Sequence, residues 1–302
     1  MPVRQFFLDG DIRGAMEYMR AHKEFRDILP AYEGIFERQE YRAYDLPDRL
    51  NAILRQYQVY FREVFYCGVP EARAAGRLRA QLSELLSMPG GDETRLAEHL
   101  RAEFEKAGWH ALFGKTQGHY GPYIWKETIP TVYPVELPEG RAEYTVNLLR
   151  GFVFRSWMDY LTFGRYGTGG WVSPDGTIYC VEQAYDLESE EFRVSLLQHE
   201  AQHAVDQKRF PGITPAELEY RAKLVELRGS SRLELLQRFL GEADERRPDD
   251  SHAAASARIR RGFGDVDPKD LSRIQARALE LLLKSTKEME EKYREKPAVF
   301  PG

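Results

Sequence analysis

Two histidines four residues apart, with a glutamate directly after the first, hold the densest chemistry in this 302-residue chain: His199-Glu200-Ala201-Gln202-His203. On a helix, positions four apart differ by only about 40° around the axis and lie one turn up. Both imidazoles therefore leave from one face and can close on a single zinc ion. Glu200 flanks that face, where its carboxylate can reach a metal-bound water rather than the metal. A catalytic zinc takes a third protein ligand and keeps one position open. Six residues past His203 stands Arg209, which cannot ligate zinc, so the three-histidine metzincin pattern is excluded. Phe210-Pro211-Gly212 breaks the helix and Thr214-Pro215-Ala216-Glu217 starts another, with the spacing of a capping box that gives Glu217 a structural task. Two carboxylates remain on that second helix, Glu219 and Glu226, seven apart and so on nearly the same face. Either can meet the histidines across an antiparallel helix pair, and Glu219 is preferred.

The five-residue pattern is HExxH, the signature of zinc-dependent peptidases. With its surroundings, His199-Glu200-Ala201-Gln202-His203-Ala204-Val205-Asp206 followed by Glu219-Tyr220-Arg221-Ala222, it resembles the gluzincin arrangement. The nearest pattern is the HExxHxxD group that includes anthrax lethal factor and the Mlc titration factor A peptidases. The resemblance spans about residues 190–228, and the interval from His203 to Glu219 is shorter than in that group. It implies a zincin-like fold, an active-site zinc held by His199, His203 and Glu219, and a peptide or protein substrate. Zincins also line the cleft with an edge strand that pairs with extended substrate. Trp171 to Ser173 or Thr177 to Val181 is expected to be that strand, the plain alternative being an ordinary core hairpin.

Supporting roles follow from position. Asp206 lies seven residues past His199 on the same helical face and can fix the tautomer of a ligand imidazole; otherwise it is a solvated helix-end residue. Glu226 can do the same from the partner helix, or form an exposed ion pair. His252, flanked by Asp249 and Asp250, is the one histidine downstream of the ligands. By resemblance to gluzincins it is a catalytic candidate that stabilises the oxyanion, against the plainer reading of a solvated loop histidine. His22, His99, His110 and His119 have no partner at ligand spacing, and Cys180 reads as a small core residue. No G-x-S-x-G elbow, Walker A or dinucleotide fingerprint is present.

These residues need elements to hold them. Ser189 can cap the motif helix, Glu190 and Glu191 suit its first turn, and Val194, Leu196, Leu197 and Val205 give it apolar faces. The first third of the chain reads as helical over 11–36, 48–66, 71–87 and 93–107. After about residue 115 the texture turns to Tyr, Val, Ile and Thr, with strands expected over 122–135, 143–149 and 152–163. A hairpin is expected around a β-turn at Ser173-Pro174-Asp175-Gly176. The expected class is α+β: a helical domain over 1–117, then a zincin-like domain over 118–302 with a small mixed or antiparallel sheet and the HExxH helix.

Composition excludes much else. The chain has 42% hydrophobic residues and a formal net charge of −5, so a phosphate backbone is not an expected partner. Two cysteines make neither a disulfide framework nor a cysteine-only zinc site. The N-terminal stretch meets acid before any seven-residue apolar run, and no stretch approaches the roughly 18 to 20 apolar residues of a membrane span. A cytoplasmic protein without a membrane partner is therefore expected. The expected function is a zinc metallopeptidase with Glu200 as general base. Its alternative is a zincin-like domain without turnover that recognises a partner through its cleft or helical region; a structural zinc site ranks third.

Overall fold

A computed structural model describes residues 2–88, 92–173, 176–247 and 249–294 of the chain. The fold mixes helices with small sheets and divides into two compact units, 1–127 with 150–168, and 128–149 with 169–302. This differs from a single boundary near 117. The aromatic and β-branched residues just past 117 do form strands, but strands of the first unit: Tyr123–Trp125 pairs antiparallel with both His110–Leu112 and Phe154–Arg155. Residues 152–163, expected as a strand, are mostly the helix Ser156–Thr162, which buries Trp157, Tyr160 and Leu161 in the first unit's core.

Apart from a further antiparallel pairing of Lys115–Thr116 with His119–Tyr120, the rest of the first unit is mainly helical. The expected helix over 11–36 is broken into Ile12–Ala21, a short turn at Lys23–Phe25, Leu29–Tyr32 and a π-helical turn at Glu33–Glu37. Asp48–Phe61 buries Leu50, Ile53, Leu54, Tyr57 and Phe61 at the spacing read from the sequence. Glu71–Leu85 and Glu93–Lys106 follow; Asp92 caps the latter by accepting from the Arg95 N–H, and Gly108 takes the positive φ that ends it. Pro89, Gly90 and Gly91, between these two helices, lie outside the described residues.

The second unit holds the motif, and its elements are labelled here. Strands β1 (Glu127–Leu137) and β2 (Gly140–Arg150) form a hairpin, and β3 (Gly170–Val172) and β4 (Ile178–Val181) follow. The sheet order is β1-β2-β4-β3, with β2 parallel to β4 and β3 antiparallel to it. Val146 and Leu148 of β2 stand opposite Ile178 and Cys180 of β4 and bury the same face, as a two-residue period requires. Burial also pushes the Cys180 thiol up to about 12, so this cysteine is a core residue. At the tip, the Gly176 N–H donates to the Ser173 carbonyl as a β-turn would; Pro174 and Asp175 lie outside the described residues.

Five helices cover the rest: α1 (His199–Arg209), α2 (Pro215–Gly229), α3 (Glu234–Glu242), α4 (Ser251–Gly262) and α5 (Leu271–Arg294). A π-helical segment, Glu191–Gln198, runs directly into α1 and packs Phe192, Leu196 and Leu197 into the sheet core. Ser189 caps it, accepting from the Phe192 N–H at 3.0 Å. Central to the unit is α2, against which α1, α4 and α5 all pack. Thr214 accepts from the Glu217 N–H, while the Glu217 carboxylate turns to Arg258 rather than closing the capping box. Among the described residues, no helix is long and apolar enough to cross a membrane.

Strand β3 lies against the π-helical segment with no room for a side chain at Gly170. A Cβ there would stand 2.4 Å from Leu196 Cδ1 and 2.7 Å from the Tyr179 carbonyl oxygen. Gly170→Ala is expected to destabilise the protein by about 1–3 kcal/mol through overpacking. Urea unfolding checks this, and an unchanged midpoint would contradict the packing.

Candidate metal centre

The turn at 210–214 reverses the chain so that α1 and α2 pack together, and this brings the two halves of the sequence pattern into one cluster. His199, His203 and Glu219 are all buried, and one donor atom from each lies within 4.8 Å of the other two. His199 Nε2 stands 3.4 Å from Glu219 Oε2, and His203 Nε2 stands 3.9 Å from Glu219 Oε1. The imidazole rings are 4.6 Å apart, as one helical turn dictates.

Several features suit this group to a metal ion. Four tetrahedral donors at about 2.1 Å from an ion would lie about 3.4 Å apart, close to the spacing found. His203 Nε2 and Glu219 Oε2 are buried with no hydrogen-bond partner, a costly state that an ion would relieve. Burial acts on His199 most strongly and lowers its pKa, but Glu219 and Glu226 together outweigh it and raise it well above the ordinary imidazole value. Burial likewise raises the Glu219 carboxyl, yet its contacts with His199 and His252 leave it far below the usual carboxylate range. The buried His-His-Glu group can thus hold a metal ion.

The roles of the two candidate carboxylates separate here. Glu219 faces the Nε2 side of both rings, whereas Glu226 lies behind His199, with Oε1 2.7 Å from Nδ1. A carboxylate there can accept a hydrogen bond from Nδ1–H, which leaves the Nε2 lone pair free to face a metal ion. Arg238 approaches the second oxygen of Glu226 at 3.6 Å. Glu200 is buried beside His203, with Oε2 3.6 Å from Nδ1.

Asp206 does not meet an imidazole. Its Oδ2 accepts from Arg221 Nε at 2.8 Å, with both side chains fully buried. Arg221 also donates to Ser285 and Thr286 of α5, so this pair ties α1, α2 and α5 together. Arg221 carried no sequence signal as a functional residue; its place within the E-x-x-A stretch of a buried helix was the one clue. His252 sits in the first turn of α4, which Asp250 caps. It is half exposed, and its Nδ1 is 3.1 Å from Glu219 Oε2, a close contact without the angles of a hydrogen bond. Of the two segments expected to form a strand at the sheet edge, only β3 does; β4 is enclosed between β2 and β3. The other histidines have local surroundings: His22 stacks on Tyr18, His99 contacts the Arg95 carbonyl, His110 stacks on Trp125, and His119 packs between Phe65 and Trp157.

Compared with models of known protein families, with curated proteins and with solved structures, the chain matches none.

Two outcomes test this geometry. Asp206→Ala leaves the Arg221 guanidinium buried without its carboxylate and is expected to cost about 3–5 kcal/mol in chemical denaturation. Glu226→Gln is expected to weaken metal affinity about 10–100-fold, measured by chelator competition. Because an ion must displace the proton held on His199, affinity should also rise with pH through the neutral range, and a pH-independent affinity would contradict the arrangement.

Proposed function

We propose that this chain is a zinc-dependent peptidase with a zincin-like second unit, in which His199, His203 and Glu219 hold the metal. The observation that carries the proposal is the convergence of two buried Nε2 atoms and one carboxylate, with Glu200 buried beside them. Two imidazole nitrogens and a carboxylate oxygen form a donor set suited to zinc, and they leave a position open for substrate. Zinc, when bound, supplies Lewis acidity that lowers the pKa of water and polarises a carbonyl.

The remaining chemistry falls to the chain's own side chains. Glu226 keeps His199 in the tautomer that presents Nε2. Glu200 takes the proton of the attacking water and returns it to the amine nitrogen as the C–N bond breaks. His252 stands at the rim beside Glu219, with enough exposure to swing toward the substrate and donate to the oxyanion. An extended peptide would align along β3, the edge strand that lies against α1. The opposite edge, β1, carries Pro130 and Pro134, which lack the N–H groups that pairing needs.

The test is metal content together with turnover on a peptide library read by mass spectrometry. Wild type is expected to retain about one zinc per chain through chelator-free purification and to cleave peptides. Glu200→Gln should keep the metal and lose about 10²–10⁴-fold in rate. A wild-type protein that carries no metal under these conditions would refute the proposal.

A further inference from the structure

Helices α4 and α5 both pack along α2, and between them, over Tyr220, they leave a cavity of about 300 Å³. Buried Tyr220 and Ser285 contribute to its lining, together with four cations, Arg258, Arg261, Arg277 and Lys284, against a single carboxylate, Glu288. In a chain whose formal net charge is −5, this is a local concentration of the opposite sign.

The cations are only partly engaged. Arg258 lies over the Tyr220 ring, its guanidinium carbon 3.9 Å from the centroid, and bonds Glu217 and Glu288. Arg277 donates from Nε to the Gly262 carbonyl and from Nη1 to Glu280. Arg261 makes one exposed bond, to Glu245, and the carboxylate nearest Lys284 stands 4.0 Å away. A guanidinium carries five N–H donors and an ammonium three, so most donors around the cavity are unspent on protein acceptors. Glu217, Glu245 and Glu280 pair with Arg258, Arg261 and Arg277 from outside the lining, so within the lining itself four cations face one carboxylate, Glu288. Ser285 accepts from Arg221 at 3.3 Å and keeps its own hydroxyl proton to give.

We infer that this groove is a binding site for a small polyvalent oxyanion: phosphate or pyrophosphate, free or as the phosphoryl group of a small molecule. Planar guanidinium forks match phosphate oxygens two at a time, and an ammonium adds a point charge. Stacking on Tyr220 and the bond to the Gly262 carbonyl hold Arg258 and Arg277 in place before a ligand arrives, which lowers the ordering cost of binding. The volume is that of a small-molecule site. None of the lining residues is a proposed metal ligand, so the groove stands apart from the proposed peptidase chemistry.

The test is calorimetric titration of the full chain with inorganic phosphate, pyrophosphate and ribose 5-phosphate, before and after dialysis against a chelator. Saturable one-site binding is expected, and it should survive the chelator. It should weaken roughly tenfold or more in an Arg261→Gln/Lys284→Gln variant, whose altered side chains are exposed and outside the core. Tighter binding of pyrophosphate would identify the free inorganic anion as the occupant, and tighter binding of ribose 5-phosphate a phosphorylated small molecule. No saturable binding, unchanged affinity in the double variant, or loss of binding with the chelator would each overturn the assignment.

Discussion

The constraint on which the second unit depends is the burial of four charged side chains along one helix. Glu219, Arg221, Lys223 and Glu226 all lie in α2 and all are buried. A charge withdrawn from water is tolerated only beside a partner of opposite sign with its hydrogen bonds satisfied. Each of the four finds its partner on another element: Glu219 on α1 and α4, Arg221 on α1 and α5, Lys223 on α3, and Glu226 on α1 and α3. Electrostatic compensation therefore sets how four helices meet the fifth. The geometry of the candidate metal centre is one product of that requirement.

The same constraint separates the groups that could hold a metal from those that hold the fold. Asp206 and Arg221 pair with each other and Arg221 reaches α5, leaving the imidazoles to Glu219, Glu226 and Glu200. His203 Nε2 and Glu219 Oε2 are the atoms on the cluster's inner side without hydrogen bonds. Unsatisfied buried atoms are costly in a purely structural cluster, so their coincidence on the side both rings face is what favours a ligand there. The π-helical run into α1 contributes from the other side, since it carries the apolar residues that seat the motif helix on the sheet while the histidines stay turned toward α2.

Local patterns were legible wherever one short segment decides the outcome. The helix over Asp48–Phe61, the caps at Ser189 and Thr214, and the shared face of His199 and His203 all follow from periodicity and capping chemistry within a few residues. The unit boundary was not legible, because strand-forming composition says that a segment will pair but not with what. Tyr123–Trp125 pairs inside the first unit, and the chain enters the second only for the hairpin of β1 and β2 before Phe154–Arg155 returns to the first. Ser156–Thr162 is helical despite its aromatic content, since tertiary burial of Trp157 and Tyr160 overrides weak local preference.

At the candidate metal centre, the sequence by itself determined the donor types and their spacing: two imidazoles one helical turn apart, and carboxylates on a following helix. It preferred Glu219 to Glu226, but periodicity alone treats the two alike, because seven residues return a helix to almost the same face. Only the tertiary structure decided, through the height at which α2 passes α1. That packing sets one carboxylate against Nε2 and the other against Nδ1 of the same imidazole, 3.4 Å and 2.7 Å away. It also carried Asp206 to Arg221 rather than to a histidine, because a fully buried guanidinium keeps its charge and needs a carboxylate beside it.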